Sequence, residues 1–225
     1  MNERLPACAR CGLRPAERAC LYKEGRGPNF CPTQKMKETL DEAMLRYRES
    51  TTFEFARQAS IQEGEGYADR EAIPFVLRPF KSRLEETHEF AARMGYRRLG
   101  LAFCVGLRSE AGALDKVLTA RGFEVVSVIC KAGCIPKEEI GLTDSQKINP
   151  GTFETVCNPV GQALVLNKVK TDFNILLGLC VGHDSLFFQH AQAPTTVFAV
   201  KDRVMGHNPM AALYTLGSYY RRLKK

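Results

Sequence analysis

Apolar residues recur along this chain with two different periods, and the change from one to the other falls near Tyr96. From Thr33 the spacing is helical: Met36, Leu40, Met44 and Tyr47 lie three or four positions apart and make one face. Thr51 or Thr52 caps a second predicted helix carrying Phe55, Ala59 and Ile61, which Gly64 and Gly66 end. A third is predicted over residues 80–94, with Leu84, Thr87, Ala91 and Met94 on one side and His88 beside that stripe. Beyond Tyr96, short apolar runs alternate with helical patterns. Residues 99–104, 123–130, 174–180 and 195–201 read as strands, and residues 109–121, 159–170, 184–190 and 209–223 as helices. Near-continuous apolar strands that alternate with helices predict an α/β fold. Its core is a mostly parallel four-stranded sheet with flanking helices, in a Rossmann-like three-layer arrangement.

Residues 1–32 follow neither period and are rich in Arg, Gly, Pro and Cys. A segment this short cannot bury a core of its own and needs a staple. The expected organisation is therefore a small cysteine-rich head (1–32), a helical segment packing on the core (33–95) and the α/β domain (96–225). With 44% apolar residues the chain is in the globular range. No apolar run approaches the ~20 residues of a membrane span. The first residues, Met1 to Pro6, lack the apolar stretch of a signal peptide, and the nine cysteines are an odd number. Reduced thiols in a cytoplasm are the expectation.

A net charge of +7 raises nucleic acid as a partner, but Arg221, Arg222, Lys224 and Lys225 supply four of those charges. A basic tail at a helix end is ordinary, so neither nucleic acid nor membrane is expected.

The cysteines fall into two groups, with none between Cys31 and Cys104. In the first, Cys8-Ala9-Arg10-Cys11-Gly12 has the form of a metal knuckle, and Cys20 and Cys31 follow. Four thiolates make a closed tetrahedral zinc site or hold an iron–sulfur cluster. Cys8, Cys11, Cys20 and Cys31 are therefore the metal-ligand candidates, for Zn2+ or, alternatively, iron–sulfur.

In the second group Cys104, Cys130 and Cys180 each end a predicted strand, and Lys201 ends the fourth. Burial alone explains any single cysteine. Three at equivalent strand ends favour a shared site, because open parallel sheets bind ligands outside their carboxyl edges. Two echoes add to this. Cys104-Val105-Gly106 resembles Cys180-Val181-Gly182, and Cys157-Asn158-Pro159 resembles His207-Asn208-Pro209. Asn suits a helix cap and Pro the first helical position, so Cys157 and His207 would each stand at a helix N-terminus. There a thiol pKa falls and an anion is welcome. Cys180 and His183 form a Cys-x-x-His pair, with Asp184 as either a second partner of that histidine or a helix cap. Lys201 offsets thiolate charge or binds an anionic ligand. Cys134, in a loop, reads as incidental.

These motifs resemble a known family. The head ending in Cys31-Pro32, residues 100–104, 126–131 and 157–159, and above all residues 178–185 and 200–209, are similar to the prokaryotic family catalogued as domain of unknown function 1847. That family is described as metal-binding. The resemblance implies metal binding and no particular reaction.

Two readings of the second site follow. As an enzyme it would run redox, sulfur-transfer or metal-assisted chemistry on a small ligand, with a coordination position open. As a binder it would sense, store or deliver metal with every position filled. A third makes the head a zinc module for a partner, which Glu3, Glu17 and Glu24 disfavour by diluting Arg10, Arg14, Arg18 and Lys23.

Overall fold

A computed structural model describes residues 5–224. The chain divides after Glu63 into two compact units. The first opens with two 3-10 turns, Cys8–Arg10 and Pro15–Glu17, followed by helices α1 (Pro32–Lys35), α2 (Lys37–Tyr47) and α3 (Ser50–Glu65). The expected apolar stripe of α2 is present but exposed: Leu40, Met44 and Tyr47 all keep more than two-fifths of their surface.

The second unit holds α4 (Arg83–Arg93), β1 (Arg98–Phe103), α5 (Arg108–Ala120), β2 (Glu124–Ile129), α6 (Pro159–Lys168), β3 (Phe173–Leu179), α7 (His183–His190), β4 (Thr195–Val200) and α8 (Met210–Tyr214). All strand pairs are parallel and the order is β2-β1-β3-β4. The predicted α/β architecture is thus the observed one. Burial follows from the order. The central strands β1 and β3 are covered on both faces, and β3 is buried throughout, whereas the edge strands β2 and β4 are largely half-buried.

Alternation along the strands sorts the layers. Ala102, Val128 and Leu176 face Ala163 and Leu166 of α6 and Phe187 of α7 in one apolar cluster. On the other face Phe173 packs against Phe90 of α4, ring centroids 5.7 Å apart. Helix α4 starts cleanly because Ser82 and Glu85 form a reciprocal capping box. Arg83 fastens it to β4 through Thr196 Oγ1 (2.7 Å) and the Val197 carbonyl (3.1 Å).

His88 is buried on α4, at 7% exposure, and its pKa lies below the ordinary 6.5, chiefly because burial penalises the charged imidazolium. The unfolded chain therefore binds the proton first as pH falls, and the histidine's contribution to stability is lost below the ordinary imidazole range. Urea midpoints at pH 7.5 and 5.5 should show this loss in the wild type and a smaller one in His88→Gln. An equal loss in both would reassign the acid sensitivity to another group.

The strand ends and the last helix differ from the expectation. The strands stop one residue earlier than expected, so Cys104, Cys130, Cys180 and Lys201 each stand immediately beyond a strand. The last helix is a short one (Met210–Tyr214) and a 3-10 turn (Arg221–Lys224) instead of one run over 209–223. Gly217 weakens a helix interior, and Leu213, Tyr214, Tyr219 and Leu223 are exposed, so no packed face holds the long helix together.

Candidate thiol site at the carboxyl edge of the sheet

The strand order lines up Cys130, Cys104, Cys180 and Lys201, one per strand, along the carboxyl edge. Main-chain bonds hold them in step. Cys130 N–H donates to Phe103 O (2.9 Å), Cys104 N–H to Leu177 O (3.1 Å) and Lys201 N–H to Leu179 O (3.2 Å). Chain order reverses between β1 and β3, so the crevice of an open α/β sheet opens between Cys104 and Cys180.

Cys157 reaches this edge from the loop before α6. Asn158 N–H donates to the Cys130 carbonyl at 2.7 Å, which ties the loop to the end of β2. The Asn158 side chain caps α6 by accepting Gly161 N–H at 2.8 Å, and Pro159 takes the first helical position, as the sequence implies. Cys104, Cys130 and Cys157 thereby meet in one cluster with the α6 and α7 residues. The sequence echo fails at His207-Asn208-Pro209, because α8 has no side-chain cap. His207 Nδ1 instead accepts Asp202 N–H at 3.1 Å, while Asp202 Oδ1 accepts Val204 and Met205 N–H. His207 thus braces its own loop.

Cys157 packs against the buried cluster that holds Cys130, and each thiol moves the other's pKa, so that the pair retains one proton. Cys130, only 3% exposed, keeps it: its pKa is pushed far up, first by the partner thiolate and then by burial. Its sulfur also accepts Val105 N–H at 3.3 Å. The half-buried Cys157 is the thiolate, its pKa brought down from 9.0 to about 5 first by the Cys130 thiol and then by Lys131 and His183. The Lys131 ammonium is itself held against the Thr155 carbonyl.

Cys180 has a cation of its own, accepting from Arg203 Nη2 at 3.2 Å. That bond is the leading reason the Arg203 pKa is raised, with Cys104 and Cys157 adding to it. Lys201 lies across Gly106, its Nζ 3.0 Å from where a Cβ there would be. The echoed glycines therefore serve different ends, since Gly182 adopts φ +84° and turns the chain into α7, where a Cβ would be strained. Asp184 accepts Ser185 N–H at 2.8 Å and is not the N-cap of α7, which is Gly182.

Sequence reasoning missed three contributors. Lys131 follows Cys130 directly, and a basic residue beside a thiol is a signal that could have found it. Arg203 lies two residues beyond Lys201, and nothing local in the sequence sets it toward Cys180. Gln162, buried on α6, donates from Nε2 to Phe103 O (3.2 Å) and Val128 O (2.7 Å), clamping the ends of β1 and β2 beneath the cysteines. No local pattern marks it.

All nine cysteines are free. In the head, Cys11 N–H donates to Cys8 O at 3.0 Å, so the knuckle turn is formed. Cys8 and Cys20 are exposed and Cys11 and Cys31 half-buried. Among the described residues no three His, Cys, Asp or Glu side chains converge to hold a metal ion. Among the same residues no helix is long and apolar enough to cross a membrane.

Comparison with known proteins places the chain. The protein is 46% identical over 172 residues to the uncharacterised protein MJ0455 of Methanocaldococcus jannaschii, covering 76% of this chain and 83% of that one. No solved structure matches. A family model described as protein of unknown function, DUF1847, matches residues 31–198, a span that takes in Cys104, Cys130, Cys157, Cys180 and His183. The chain therefore belongs to the DUF1847 family.

Proposed function

We propose that this protein binds a small anionic ligand at the carboxyl edge of its sheet and reacts with it through the Cys157 thiolate, with Cys130 as proton partner. The observation that carries this reading is the half-buried Cys157 packed against the buried Cys130 and tied to it through the Asn158 N–H to Cys130 carbonyl bond, with its pKa lowered. A thiolate at neutral pH is the form that attacks electrophiles, and the Lys131 ammonium that helps to stabilise it also attracts negative charge. The start of α6, capped by Asn158, adds its partial positive charge at the same place. Lys201 and Arg203 extend the cationic rim, and a reducing cytoplasm would keep the thiols free. The test is mapped labelling of the full chain with a limiting amount of iodoacetamide at pH 6. Cys157 is modified ahead of the exposed Cys8, Cys20 and Cys134, and excess inorganic phosphate slows its labelling selectively. Labelling ordered by exposure alone would overturn the reading.

A second role rests on the head. The formed Cys8–Cys11 turn favours soft-metal binding by Cys8, Cys11, Cys20 and Cys31, with Zn2+ first and iron–sulfur as the alternative. In so short a segment the ion would act as the staple, because ligand closure and folding are one process. Anaerobically purified protein should carry zinc, or iron with sulfide, and Cys8→Ser should lose it and unfold the head without altering Cys157 labelling. Metal-free wild type after growth with zinc and iron, or full retention in Cys8→Ser, would sink this role.

A further inference from the structure

We propose that Cys130 and Cys157 are a dithiol–disulfide couple that reduces a small, negatively charged disulfide. This rests on the reading of Cys157 as the site's reactive thiolate and names its substrate class. Three observations lead to it. Cys157 already packs against the buried cluster that holds Cys130. The Asn158 N–H to Cys130 carbonyl bond of 2.7 Å holds the two backbones together, so bridging the sulfurs calls mainly for side-chain rotation. Accessibility is also divided in the order that an exchange reaction needs: Cys157 is half-buried and reachable, whereas Cys130 is 3% exposed and meets only what Cys157 has captured.

The chemistry is two successive thiol–disulfide exchanges. The Cys157 thiolate attacks one sulfur of the external disulfide. A Cys157–sulfur bond forms, the external sulfur–sulfur bond breaks, and one thiolate leaves. Cys130 then attacks Cys157 Sγ, its proton passes to the second departing sulfur, and the Cys130–Cys157 disulfide remains. Two protein thiols are oxidised and one external disulfide is reduced to two thiols. The reverse exchange with two external thiols restores the dithiol.

Charge sets the preference among disulfides. The Lys131 ammonium helps to lower the Cys157 pKa, and Arg203 is close enough to feel Cys157. Lys201 stands at the end of β4 on the same edge. A disulfide bearing carboxylates therefore gains at the site over a neutral one. Cys134 is the competing resolving thiol, exposed and with its sulfur 3.9 Å from Thr155 Oγ1. Cys130, by contrast, belongs to the buried cluster against which Cys157 packs.

The experiment uses the full-length reduced protein, with glutathione disulfide as the anionic probe and hydroxyethyl disulfide as the neutral one, read by peptide mapping under acid quench. The expected product is a peptide pair linked through Cys130 and Cys157. It should form about tenfold faster with glutathione disulfide, relative to each probe's rate with a free cysteine peptide, the size of effect one well-placed charge interaction gives. Cys130→Ala should stop at glutathione held on Cys157, and Lys131→Gln, which leaves the buried thiol in place, should shrink the preference for the anionic probe. A wild type that stops at the mixed disulfide, or links Cys157 to Cys134, overturns the couple while leaving Cys157 as the reactive thiolate. An unreactive Cys157 overturns both readings, and equal relative rates for the two probes overturn the substrate class.

Discussion

Between pH 6 and 8 the exchange of Cys157 with a pyridyl disulfide should change little in rate, while a free cysteine peptide accelerates about tenfold per pH unit. The contrast follows from the pKa of Cys157, brought from 9.0 to about 5 by Cys130, Lys131 and His183. A lower pKa raises the thiolate fraction but weakens each thiolate as a nucleophile, by about 0.4–0.5 log units per pKa unit, or roughly 60-fold here. At pH 6 an ordinary thiol is about one part in a thousand ionised and Cys157 about nine-tenths, so Cys157 wins by about tenfold. At pH 8 the ordinary thiol is about one-tenth ionised, and Cys157 is slower by severalfold. The two profiles cross near pH 7. Cys157→Ser removes the flat component. A Cys157 rate that climbs tenfold per unit across this range would show that Cys130 and the cations do not hold the thiolate.

Gly100→Ala is expected to cost about 3 kcal/mol and lower the melting temperature by about 6–12 °C. Gly100 sits in the middle of β1, and a Cβ there would lie 2.2 Å from Asn174 Oδ1 and 2.8 Å from Leu166 Cδ1. Neither neighbour yields cheaply. Asn174 is fully buried and its Oδ1 accepts from the Thr171 hydroxyl at 2.8 Å, so displacing it breaks a buried hydrogen bond. Leu166 is fully buried where α6 packs on the sheet, and the push would travel to the helix that carries the Cys157 loop. Gly112 supplies the contrast. It lies inside α5, and a methyl group added there would meet nothing within 4 Å, so Gly112→Ala should stabilise by about 0.5–1 kcal/mol. Thermal unfolding of both variants checks the pair, and a neutral Gly100→Ala would mean that β1 and α6 are less tightly packed than the structure shows.

The site was legible in the chain to an uneven degree. Cys104, Cys130 and Cys180 could be placed at strand ends because apolar runs stop at them, and the cap of α6 could be placed because Asn158-Pro159 is a local signal. The same signal misleads at His207. Its Asn-Pro pair precedes a helix too short to be capped, and the imidazole spends its acceptor on Asp202 N–H. Lys131 and Gln162 were harder, since a lysine beside a thiol and a glutamine on a helix look the same whether they serve a site or not.

Periodicity and punctuation were enough to establish an α/β chain whose chemistry-bearing residues gather at strand ends, because helix and strand repeats and helix caps are local properties of neighbouring residues. Which cysteine pairs with which was beyond them. The order β2-β1-β3-β4 sets Cys130 beside Cys104, and a main-chain bond between positions 130 and 158 brings Cys157 to Cys130 and leaves Cys180 to Arg203. Pairing of strands and the sharing of a proton between two thiols depend on burial and on charges distant in sequence. Only the folded chain brings those together.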